Sequence, residues 1–113
     1  MKKYKDKIKR SFAEGLSGHI AMVVMQLKTS DSDEDKMLAA NLAQVYEKIL
    51  EKLVRVKPVY SITLTPAEAF AVCVLRNDFP SANFYISNNM LALVNNVQQY
   101  YAQPEISNFY LTM

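Results

Sequence analysis

The sequence predicts an all-α fold, a four-helix bundle-like single domain with helices over about 3–28, 32–56, 65–76 and 82–102. Three observations predict it. Pro58, Pro66, Pro80 and Pro104 each stand at a boundary of the apolar pattern, and none interrupts a periodic run. Gly15 and Gly18 are the only glycines, too little turn chemistry for many short strands. Between the prolines, apolar residues recur at intervals of three and four.

The first helix is placed at 3–28 by the stripe Tyr4, Ile8, Phe12, Leu16, Ile20, Val23 and Leu27, which Met22, Val24 and Met25 widen near its end. The stripe keeps its phase across Gly15 and Gly18, so one continuous helix is expected. Each glycine costs about 1 kcal/mol against alanine in a helix interior, which calls for a reason such as the close approach of a neighbour. Ser32, with Asp35 three residues later, has the spacing of a capping box, and Asp33, Glu34 and Asp35 suit the positive end of a helix dipole. The second helix follows the stripe Leu38, Leu42, Val45, Ile49, Leu53 and Val56. Lys52, Arg55 and Lys57 gather at its C-terminal end, Glu51 is spaced to pair with Arg55, and Pro58 stops it.

Val59 to Leu64 alternates strictly, with Tyr60, Ile62 and Leu64 on one side and Ser61 and Thr63 on the other. Such a segment is either an extended linker or one strand of a minor two-stranded ribbon. The partner available on the helical reading is 106–111, within one chain or across a dimer axis. Thr65-Pro66-Ala67-Glu68 combines cap, first-turn proline and box-closing glutamate and starts the third helix. That helix is apolar on nearly every side, so it is expected to be covered all round, either centrally or at a subunit interface. The fourth follows Ile86, Met90, Leu93, Val94, Val97 and Tyr101, with Ser87-Asn88-Asn89 as a place where it would break.

At 113 residues, half of them hydrophobic, the chain is long enough to bury a core without disulfides or a structural metal. The single cysteine, Cys73, excludes an internal disulfide and lies among apolar neighbours, where it reads as a small buried hydrophobe. No uninterrupted apolar run follows the basic opening residues, so no signal peptide, no membrane span and a cytoplasmic location are expected.

Candidate chemistry is sparse. Gly15-Leu16-Ser17-Gly18-His19 falls short of a nucleophile elbow because the second glycine comes one position early and the flanks are helical. Asp31 to Asp35 opens like a calcium loop but has Lys36 and Leu42 where glycine and the bidentate glutamate belong. The only histidine, His19, is not three residues after any glutamate, as a bundle di-metal site would require. No catalytic residue, metal ligand or cofactor is expected.

Two surface features remain. Lys2, Lys3, Lys5, Lys7, Lys9 and Arg10 make a basic N-terminal segment, and charge of that sign at a helix start opposes the dipole, so it does not serve the helix. Tyr100, Tyr101, Phe109 and Tyr110 suit an interface as well as they suit the end of a core. The function these features favour is a small non-enzymatic protein-interaction module, with a protein partner or a second copy on its aromatic side. The alternative is a nucleic-acid-binding accessory protein that uses the basic segment. Neither reading involves a membrane.

Overall fold

The segment Val59–Leu64 carries six residues of extended backbone whose donors and acceptors need a partner. The N-terminus supplies it. The computed structural model describes residues 1–102, in the order β1 (Tyr4–Lys9), α1 (Arg10–Leu27), α2 (Asp33–Leu53), β2 (Val59–Leu64), α3 (Pro66–Asp78) and α4 (Phe84–Ala102). β1 and β2 form a two-stranded antiparallel sheet in the register Tyr4 with Leu64, Asp6 with Ile62 and Ile8 with Tyr60.

The all-α expectation is therefore corrected: the molecule is mostly helical but mixed α/β, four helices with a two-stranded sheet. The first helix spans Arg10–Leu27 and not 3–28. The physical reason lies in a spacing of four, which puts Tyr4 and Ile8 on one face of a helix and equally on one face of a strand. Lysines at 5, 7 and 9 follow only the strand period. The ribbon at 59–64 exists, but β1 pairs with it, and the 106–111 segment considered as its partner lies outside the described residues.

The sheet leads directly into α1 with no capping side chain at Lys9. One free donor of the first turn is met instead by the α2–β2 connection, where the Arg10 amide donates to the Pro58 carbonyl at 3.1 Å. The Arg10 guanidinium lies against the same connection, donating to Arg55 O at 3.3 Å and to the Tyr60 hydroxyl, and pairing with Glu14 at 2.8 Å. The Tyr60 hydroxyl donates to Arg55 O and accepts from the Lys57 amide at 3.1 Å.

α1 and α2 pack as a helical hairpin between the two strands in chain order, and α3 and α4 close over its base. α2 begins with the expected Ser32 cap, its hydroxyl accepting from the Asp35 amide, but the capping box is not closed: the Asp35 carboxylate accepts from Ser30 at 2.7 Å and the Ser32 amide donates to the Ser30 hydroxyl at 3.1 Å. It ends at Leu53, and the last stripe member, Val56, is exposed because the chain leaves the helix ahead of Pro58. α3 carries the full Thr65–Glu68 capping box. α4 runs without a break through Ser87-Asn88-Asn89, starting where the Asn83 side chain accepts from the Ile86 amide at 3.2 Å.

One apolar cluster draws on all six elements, with Leu16, Ile20, Leu42, Ile49, Leu64, Leu75 and Met90 at its centre. Every member of the α1 stripe is buried, Tyr4 and Ile8 included, whereas Met22 and Met25 face solvent. At Gly15 α4 comes close, since an added Cβ would stand 2.1 Å from Ile86 Cδ1. Gly18 faces open space. Among the described residues, no helix is long and apolar enough to cross a membrane.

Candidate interaction surfaces

The pleat of β1 divides its side chains between two environments. Tyr4 and Ile8 are buried and Asp6 is half-buried beside them, while Lys5, Lys7 and Lys9 are exposed on the opposite face. Asp6 is held by the groups around it: its carboxylate accepts from the Tyr4 hydroxyl at 2.5 Å, the Lys7 amide at 2.7 Å and the Asn96 amide at 3.5 Å. Burial, and then the Asp6 carboxylate, push the Tyr4 hydroxyl well above its ordinary pKa, so it stays a donor. On the outer face the lysines lie opposite Thr63, Ser61 and Val59, none of them acidic.

The six basic residues predicted as one group are thus split. Lys5, Lys7 and Lys9 form a row. Lys2 and Lys3 precede it, and their carbonyls accept from the Tyr101 and Tyr100 hydroxyls, each at 2.9 Å. Arg10 turns toward Glu14, Arg55 and Tyr60. The cations missed as a surface are Lys52, Arg55 and Lys57, which with Glu51 and Tyr60 line an open cleft of about 300 Å3 at the end of α2. The pairing of Lys9 with Val59 sets this cleft beside the end of the lysine row. Glu51 and Arg55 do not form the expected ion pair; the salt bridges among the described residues are Arg10–Glu14 and Lys48–Glu68.

A second surface has the opposite character. α3 buries Glu68, Ala69, Ala71, Val72, Cys73 and Leu75 but leaves Ala67, Phe70, Val74 and Asn77 exposed along one stripe, so the helix is not covered all round. The Phe70 ring meets that of Tyr101 at 5.2 Å between centroids, Tyr101 meets Tyr100 at 5.0 Å, and Tyr100 stands edge-on to Tyr4 at 5.5 Å. Turning 100° per residue, Leu91 and Gln98 fall on the side of α4 that carries Tyr101. No charged residue occurs between Asp78 and Glu105, and α4 contains none. Tyr101 therefore belongs to a neutral wall built by α3 and α4, whereas Tyr100, on the opposite side of α4 from Leu91, turns to β1 through the Tyr4 ring and the Lys3 carbonyl. Phe109 and Tyr110, expected beside them, lie outside the described residues.

The described surroundings of His19, Cys73 and Glu68 differ from one another. His19 Nε2 donates to Phe79 O at 2.6 Å, and burial pushes the Cys73 thiol up from its ordinary pKa. Burial alone would raise the Glu68 carboxyl, but the Lys48 ammonium at 2.5 Å and the Thr65 amide at 2.8 Å outweigh it and hold it below the ordinary value. Among the described residues, no buried side-chain nitrogen or oxygen lacks a hydrogen-bond partner. No group of three or more His, Cys, Asp or Glu side chains there is placed to hold a metal ion.

Comparison with protein families, characterised proteins and solved structures finds no match to this chain.

Proposed function

We propose that the protein is a non-catalytic interaction module that associates with a second copy of itself through the neutral wall of α3 and α4. The observation that carries the reading is the composition of that wall. Charged residues make up 21% of the chain, yet α4 has none, and its exposed positions are amides, aromatics and small or apolar residues. Depletion of charge with enrichment of aromatics marks the core of protein interfaces. On α3 the stripe Ala67, Phe70 and Val74 has the three-then-four spacing of a helix-packing seam. A second copy of the same face brings no like charge against it, apart from Asp78 at the end of the stripe.

Sedimentation equilibrium from micromolar concentration upward tests this. The expected result is a concentration-dependent dimer that Phe70→Asn together with Leu91→Asn weakens by tenfold or more, on the order of one interface anchor. A particle that stays monomeric at about 100 μM, weaker than the micromolar scale of about 8 kcal/mol, would overturn it.

A further inference from the structure

We infer that the outer face of the β1–β2 ribbon, continued by the C-terminal end of α2, is a binding surface for the phosphodiester backbone of nucleic acid. The row begins with Lys5, Lys7 and Lys9, which the strand period places about 7 Å apart on one exposed face. That step is close to the separation of successive phosphates on an extended nucleic-acid strand. The register then carries the row to the α2–β2 connection, where exposed Lys57, Arg55 and Lys52 extend it.

Two features separate this surface from a merely solvated face. First, like charges two residues apart on a strand repel, and an acid on the neighbouring strand would relieve them. The residues opposite are Thr63, Ser61 and Val59, so the repulsion is left for a ligand to relieve. Second, the acid on β1 is directed elsewhere, because Asp6 faces Tyr4 and Asn96 on the inner side. Glu51 is the acid lining the cleft, against three cations. The hydroxyls of Ser61 and Thr63 add donors of the kind that contact phosphate. The residues opposite the lysines are not aromatic, so the contact is with backbone and independent of base sequence.

The test is titration of labelled 20-residue single-stranded DNA and of duplex DNA of equal length, across about 50–200 mM salt, where counterion release is steep. Binding to either form that weakens log-linearly with salt supports the inference, and the preferred form shows whether a single strand or a duplex is held. The triple variant Lys5→Gln, Lys7→Gln, Lys9→Gln should flatten the slope by about three, one for each phosphate no longer neutralised. Lys52→Gln, Arg55→Gln, Lys57→Gln should act similarly, while Lys28→Gln with Lys36→Gln should leave it unchanged. Thermal melts of each variant confirm that it is folded. No binding at about 50 mM salt, a triple variant with the wild-type slope, or binding to heparin or phosphatidylserine vesicles but to neither DNA would overturn it. The Phe70→Asn, Leu91→Asn variant should bind DNA with the same slope, since the neutral wall and the basic row share no residue.

Discussion

The two glycines of α1, one turn apart, have different physical reasons. At Gly15 a methyl group would collide with the end of the Ile86 side chain, which is buried and would have to shift. At Gly18 a methyl group meets nothing. Gly18→Ala should therefore stabilise the protein by up to about 1 kcal/mol, the ordinary helix preference. Gly15→Ala should fall below it by about 1–3 kcal/mol, the cost of overpacking, and adding Ile86→Val should recover part of that difference. Urea denaturation of the three variants measures both effects. The pair Lys48–Glu68 makes a second prediction at this scale. Glu68 is buried and its carboxyl is held below its ordinary pKa, so the stability it contributes is present above the unfolded value near 4.5 and is lost as pH falls through the lower folded value. Lys48→Met leaves that carboxylate short of a partner and should cost about 1–3 kcal/mol at pH 7. The cost should shrink as pH falls, because burial neutralises the variant's carboxyl first and the wild-type carboxyl follows only once pH drops through its lowered folded value.

At the scale of elements, the Tyr60 hydroxyl binds the end of α2 to the start of β2 through Arg55 O and the Lys57 amide, with Arg10 joining from α1. Tyr60→Phe should cost about 1–2 kcal/mol by leaving these groups short of a partner. It should speed proteolysis within 54–58 while leaving helix content by circular dichroism unchanged. The elements differ in how plainly the sequence states them. α2 and α4 were legible because a cap or a proline coincided with a 3.6-residue stripe, and α3 because Thr65-Pro66-Ala67-Glu68 formed the full box it spelled out. β1 was misread because Tyr4 and Ile8 satisfy two periods at once. The evidence for the strand was nonetheless present, in lysines at every second position and in a β2 left without a partner. The neutral stretch was missed at the sequence level, although its signal was there: no charge stands between Asp78 and Glu105. Which face of α3 stays bare was not legible, since apolar residues surround that helix and only the packing of its neighbours selects Phe70 and Val74.

At the scale of the whole molecule, the two proposed surfaces differ in the force that acts on them, and salt separates the two. Association through an uncharged wall should change little in sedimentation runs between about 50 and 500 mM salt, because no charge pair there is available for screening. Polyanion binding on the ribbon should collapse over the same range. A self-association that weakened in step with DNA binding would mean that one surface serves both.

The sheet also joins residues far apart in the chain, with the whole α1–α2 hairpin between its strands. A chain emerging from the ribosome at about 5–20 residues per second therefore exposes its first strand for several seconds before the second is made. During that interval Tyr4 and Ile8 have no shelter. The lysines interleaved with them would keep the waiting segment from sticking to other nascent chains, a service rendered before the native state exists.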